Sequence, residues 1–193
     1  MKLICLGDSQ TFSLGLHRPD KWTTLLGQNL GSEWEVINAG INGDTTSGML
    51  ARVRYDVIEK KPDIVMVMGG GNDFIAGSDI GCVKANTMAI VQQCLAAGLK
   101  VILASELLLY PQLISDTYKK VADFEGVNSQ LKNIALWYPD FCACWSGIDY
   151  VDLQNLYLEE TGGSTDFSAD GMHPNKAGAE IIAKILTKVF KVL

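Results

Sequence analysis

The residues able to do chemistry in this 193-residue chain lie in short polar segments that follow apolar runs. Near the start stands Gly7-Asp8-Ser9-Gln10-Thr11, and far along the chain Asp170-Gly171-Met172-His173-Pro174. Hydrolytic acyl transfer needs a nucleophile, a base, a group that orients the base, and donors for the oxyanion. Ser9 offers the hydroxyl, although Asp and Ser after a strand are also ordinary turn and helix-cap residues. His173 offers a base that works near neutral pH. The chain's other histidine, His17, lies in the polar segment Leu16-His17-Arg18-Pro19 and reads as exposed. A carboxylate at Asp170, three residues before His173 on a turn into a helix, reaches Nδ1 and leaves Nε2 facing out, unless it serves only as a cap.

Donors for an oxyanion come from two further segments, Asn38-Ala39-Gly40-Ile41-Asn42-Gly43-Asp44-Thr45 and Gly69-Gly70-Gly71-Asn72-Asp73. The N–H groups of Ser9 and Gly43 and the side-chain amide of Asn72 are the candidates, against the commoner use of such glycines in turns. Asp8 and Asp73 read as structural acceptors for backbone N–H groups, with a charge able to tune His173.

Five short apolar runs must position these segments: Lys2 to Leu6, Glu35 to Asn38, Ile64 to Met68, Val101 to Ala104, and Tyr150 to Val151. Segments of helical period alternate with them at about Trp22 to Leu30, Ser47 to Lys60, Val83 to Ala97, Tyr118 to Tyr138, and Asn175 to Val192. The alternation predicts a single α/β domain over residues 1–193 with a mostly parallel sheet, whose ligands bind beyond the carboxyl ends of the strands. The last helix is the clearest, with Ala177, Ile181, Ile182, Ile185, Val189 and Phe190 on one side and lysines on the other. Residues Ser105 to Thr117 and Asn155 to Ser168 read as long loops.

Composition narrows the partners. A formal charge of -6 argues against nucleic acid, which needs clustered basic residues. Five cysteines at irregular spacing fit a reducing, cytoplasmic setting rather than a disulfide framework. Cys142 and Cys144, with only two histidines in the chain, are too few for a structural zinc. No run of about 18 apolar residues predicts a membrane span, and the first apolar run is too short for a leader core.

Taken in order, the four segments resemble the sequence blocks of the SGNH hydrolases, also called GDSL esterases, from Gly7 to Pro174. The family's namesake residues fall on Ser9, Gly43, Asn72 and His173, and its Asp-x-x-His block on Asp170 and His173. The resemblance implies a three-layer α/β/α fold with a five-stranded flavodoxin-like sheet, and a Ser9–His173–Asp170 triad. It further implies an oxyanion hole at Ser9, Gly43 and Asn72, a small-molecule ester, thioester or lipid-like acyl substrate, and no cofactor. Two departures stand out: Gln10 replaces the family's Leu, which points to a change of pocket lining, and Gly71 replaces an Ala common there.

Phe74, Leu107, Leu108, Tyr110 and Met172 are candidate pocket residues, and the leucine run 107 to 109 suggests an apolar wall or a homo-oligomer contact. An inactive binding protein of the same fold is one rival reading. A flavodoxin-like nucleotide or flavin module is another, but no phosphate-binding glycine fingerprint is present. An ordinary α/β-hydrolase would place its serine in Gly-x-Ser-x-Gly, where this chain has Thr11.

Overall fold

The computed structural model describes residues 1–192. Strands β1 (Lys2–Gly7), β2 (Glu35–Gly40), β3 (Ile64–Met68), β4 (Lys100–Ala104) and β5 (Ile148–Val151) form one sheet in the order β2-β1-β3-β4-β5. Every neighbouring pair is parallel. Helices α1 (Ser9–Phe12), α2 (Trp22–Leu30), α3 (Thr46–Asp56), α4 (Gly71–Ile75), α5 (Ile80–Ala96), α6 (Asp116–Lys119), α7 (Phe124–Ala143), α8 (Leu153–Thr161) and α9 (Lys176–Phe190) lie between and after the strands. Among the described residues, no helix is long and apolar enough to cross a membrane.

β3 is apolar throughout, and β1 and β4 are apolar after their first lysine, because both faces of the inner sheet are covered. Successive side chains point to opposite faces, so Ile4, Leu6, Val65 and Val67 join Met49 and Val53 of α3, Val83 and Ile90 of α5, and Val127 and Leu131 of α7. Leu3, Cys5, Ile64, Met66 and Met68 join Trp22 and Leu26 of α2, Leu153 and Tyr157 of α8, and Ile182 and Leu186 of α9. The result is the three-layer α/β/α architecture expected. Its strand order reverses at β1 and β3, which opens a crevice at their carboxyl ends.

Three sequence expectations need correction. The helix expected over Tyr118 to Tyr138 is two helices, because the Asp123 side chain caps a new start by accepting from Glu125 N at 3.2 Å. The first half of the loop expected over Asn155 to Ser168 belongs to α8, whose Leu153, Tyr157 and Thr161 recur at intervals of four and are buried. Asp152 starts that helix, and Gly162 ends it in the left-handed conformation at φ 60. The helix expected over Ser47 to Lys60 ends at Asp56, and a 3-10 turn over Ile58–Lys60 follows.

Trp22 couples the second layer to the first polar segment. Its ring is fully buried and its Nε1–H donates to the carbonyl of Gln10 at 2.9 Å. Trp22→Ala should cost about 3–5 kcal/mol in urea unfolding at neutral pH.

Candidate active site

All four segments with chemical potential emerge at the carboxyl edge of the sheet. Ser9 follows β1, Gly43 lies between β2 and α3, Asn72 follows β3, and Asp170 and His173 lie between α8 and α9. Ser9 is not in an open turn: it is the first residue of α1, whose cap is Asp8, with Oδ1 accepting from Gln10 N at 2.9 Å. The short helix fixes the direction of the hydroxyl.

His173 Nε2 lies 2.9 Å from Ser9 Oγ, and Nδ1 lies 2.8 Å from Asp170 Oδ2. An ionised carboxylate only accepts, so Nδ1 carries the hydrogen and Nε2 accepts from the serine hydroxyl. Burial alone would raise the Asp170 carboxyl, but hydrogen bonds from the His173 ring and from the N–H groups of Met172 and His173 together hold it below its ordinary value. Both N–H groups donate to Oδ1 at 2.9 Å. Asp170 therefore orients the ring and also shapes the turn that carries it. His17 is exposed and away from this group, as expected.

The turn depends on Gly171. Its φ is 89, and a Cβ there would lie 2.6 Å from the carbonyl of Tyr110. The carbonyl of Gly171 accepts from Tyr110 N at 2.7 Å, which ties the loop after β4 to the histidine loop. Ser168 adds a strut, its Oγ accepting from Gly171 N at 2.9 Å and donating to the carbonyl of His173 at 3.2 Å.

The expected oxyanion donors are assembled unequally. Among the described residues, the N–H groups of Ser9 and Gly43 donate to no other protein group. The Asn72 amide is already engaged: Nδ2 donates to the carbonyl of Asp44 at 2.9 Å and to Asp8 Oδ2 at 3.2 Å. Arg52 of α3 steadies the same region, donating to the carbonyl oxygens of Gly7 at 2.9 Å and Ala39 at 2.8 Å and pairing with Asp44 at 2.7 Å.

Several braces were missed or misread in the sequence. Gln10 does not line a pocket. It is buried, its Oε1 accepts from Leu107 N at 3.1 Å, and its Nε2 donates to the carbonyl oxygens of Leu107 and Met172, each at 3.3 Å. A polar residue in place of Leu at that position is the signal that could have revealed it. Gly71 is likewise more than a small-for-small exchange, because the Glu106 carboxyl occupies the space where a Cβ would sit. Asp8 and Asp73 act as expected, Asp73 accepting from Thr46 N at 2.8 Å and Thr46 Oγ1 at 2.7 Å.

Leu107, Leu108, Tyr110 and Met172 line a small cleft with His173, joined by Tyr157 and Phe167. Phe74 instead lines a separate hollow with Val121 and Val127. The leucine run is no continuous wall, since Leu107 and Leu109 are buried in opposite cores and only Leu108 is half-buried.

The model of the GDSL-like lipase/acylhydrolase family matches residues 5–181. Esterase TesA of Pseudomonas aeruginosa is 38% identical over 104 residues, which cover 52% of this chain and 52% of that protein. The match thus spans about half the length of that relative. Thioesterase 1/protease 1/lysophospholipase L1 of Escherichia coli strain K12 is 26% identical over 193 residues, covering 99% of this chain and 84% of that protein. The native aryl esterase of M. smegmatis superposes with a TM-score of 0.84 at 20% identity, covering 100% of this chain and 99% of that one, and so shares its fold.

Asp73→Ala would strand both donors of Thr46, whose bonds to Asp73 join α3 to α4. The loss should be about 2–5 kcal/mol, read from urea denaturation.

Proposed function

The chain belongs to the GDSL-like lipase/acylhydrolase family, and from that premise we propose that it is a serine hydrolase that cleaves carboxylic or thio esters of small or lipid-like acyl substrates through an acyl-enzyme on Ser9. The observation that carries the reading is the continuous hydrogen-bonded chain from Ser9 Oγ to His173 Nε2 at 2.9 Å and from His173 Nδ1 to Asp170 Oδ2 at 2.8 Å. A buried imidazole held between a carboxylate and a hydroxyl costs order that a purely structural role does not require.

In this scheme the hydroxyl of Ser9 attacks the ester carbonyl carbon as Nε2 takes its proton. Asp170 stabilises the imidazolium without taking the proton itself. The oxyanion accepts from the N–H groups of Ser9 and Gly43 and from Asn72, whose longer bond to Asp8, at 3.2 Å, is the one available for sharing. The tetrahedral adduct expels the alcohol or thiol, which takes the proton from His173. Water then attacks the acyl-enzyme with His173 again as base, and the free acid leaves. The scheme requires no metal or organic cofactor. Leu108, Tyr110, Phe167 and Met172 give the small cleft beside His173 a largely apolar lining. A cytoplasmic site of action belongs to the same reading, supported by five cysteines that are all free.

A series of nitrophenyl esters of increasing chain length should show hydrolysis by the wild type. Ser9→Ala and His173→Ala should each lower kcat by about 10⁴–10⁶, and Asn72→Ala by about 10²–10³. Wild-type turnover in Ser9→Ala would refute the assignment. Asp170→Asn, which keeps the shape but favours the wrong tautomer, should lower kcat by about 10⁴.

A further inference from the structure

Two carboxyl groups are buried at this rim, Asp8 beside Ser9 and Glu106 beside Gly71, and the hydrolytic scheme leaves Glu106 without a part. Asp8 is 1% exposed and Glu106 6%. Asp8 accepts from Gln10 N through Oδ1 and from Asn72 Nδ2 through Oδ2. Glu106, in the loop after β4, accepts from Gly71 N at 2.7 Å through Oε2, and its carboxyl is in hydrogen-bonding contact with that of Asp8. Two carboxyl groups attract at such a contact only with a hydrogen between them, and two adjacent buried negative charges do not persist. The pair therefore holds one proton and one charge.

The proton belongs on Glu106, because both oxygens of Asp8 already accept, from Gln10 N and Asn72 Nδ2, whereas only Oε2 of Glu106 does, from Gly71 N. Burial, reinforced by the neighbouring Asp8 carboxylate, pushes the Glu106 carboxyl well above the usual carboxylate range. Burial also raises Asp8, but the hydrogen bonds from Glu106 and from Gln10 N oppose that rise. The titratable groups facing Glu106 are Asp8, Asp73 and Tyr138, and those facing Asp8 from the other loops are His173 and Asp44. The site is also shaped for an acid: a Cβ on residue 71 would lie 2.7 Å from Glu106 Oε1 and 3.2 Å from Oε2, so the glycine and the carboxyl are a matched pair.

We propose that Glu106 is a positioning residue for ester hydrolysis: as a neutral acid it donates to the Asp8 carboxylate, thereby fixing where the Asn72 amide points and keeping a second negative charge away from the developing oxyanion. The proposal rests on the assignment of Ser9 and Asn72 above. Glu106 touches no substrate and acts through Asp8.

The test joins infrared spectroscopy to kinetics. At pH 7 the wild type should show the C=O stretch of a protonated carboxylic acid, and Glu106→Gln should lack it. Glu106→Gln keeps a donor for Asp8 and an acceptor for Gly71 N, so its kcat should stay within about threefold of wild type. Glu106→Leu removes the donor, and its kcat should fall about 10- to 100-fold while KM changes less than about threefold. Should that variant fail to fold, Gly71→Ala, which crowds the carboxyl off Asp8, should show the same loss. No protonated-carboxyl band lost in Glu106→Gln, or wild-type kcat in the folded displacing variant, overturns the proposal. Ser9→Ala run alongside separates the two claims: activity there defeats the hydrolase reading itself, whereas its loss with an indifferent Glu106 defeats only the positioning role.

Discussion

Parallel pairing governs this molecule. When every strand runs the same way, every strand end opens on the same edge, and segments that are remote in sequence become neighbours without any long excursion. The contact between Ser9 and His173 crosses 164 positions of chain. It exists because β1 lies inside the sheet and α9 packs over the same face as α2, delivering the loop before it to the end of β1. The apolar layers and the chemistry are thus consequences of one arrangement. Strands covered on both faces leave polar groups a place only at the rim.

At that rim, hydrogen bonds rather than apolar packing hold the loops in register. Gln10 links the first segment to the loops carrying Leu107 and Met172, Asp73 links α4 to the start of α3, and Arg52 links the ends of β1 and β2. These groups are buried or nearly so, where an unpaired donor or acceptor is costly, so each link is strongly directional. Ser9, His173 and Asn72 sit within a lattice of such links, and their positions follow from it. Asn72 illustrates this: its amide direction is set by Asp44 and Asp8 before any ligand arrives.

Much of this was legible in the sequence, for identifiable reasons. Short β-rich runs separated by helical periods announce parallel β-α units, and Ile64 to Met68 and Trp22 to Leu30 were read with the bounds observed. The placement of Ser9, Asp170 and His173 was readable because few residue types do acyl transfer and the chain has only two histidines. What escaped was tertiary. The period of α8 is weak in a polar stretch, and its buried face is meaningful only against the second core. Glu106 follows a strand like many loop acids, and nothing local in its sequence tells that it lies against Gly71. Gln10 was misread because residue type alone does not distinguish a side chain that lines a pocket from one that braces two loops.

The order of the site along the chain also bears on biosynthesis. The hydroxyl-bearing segment leaves the ribosome well before the imidazole, its carboxylate and the helix that seats them. A nascent polypeptide that lacks α9 and the loop before it holds Ser9 without the His173 imidazole and leaves one face of β1 short of part of its cover. The step that completes the second apolar layer is the same one that brings the His173 imidazole to Ser9.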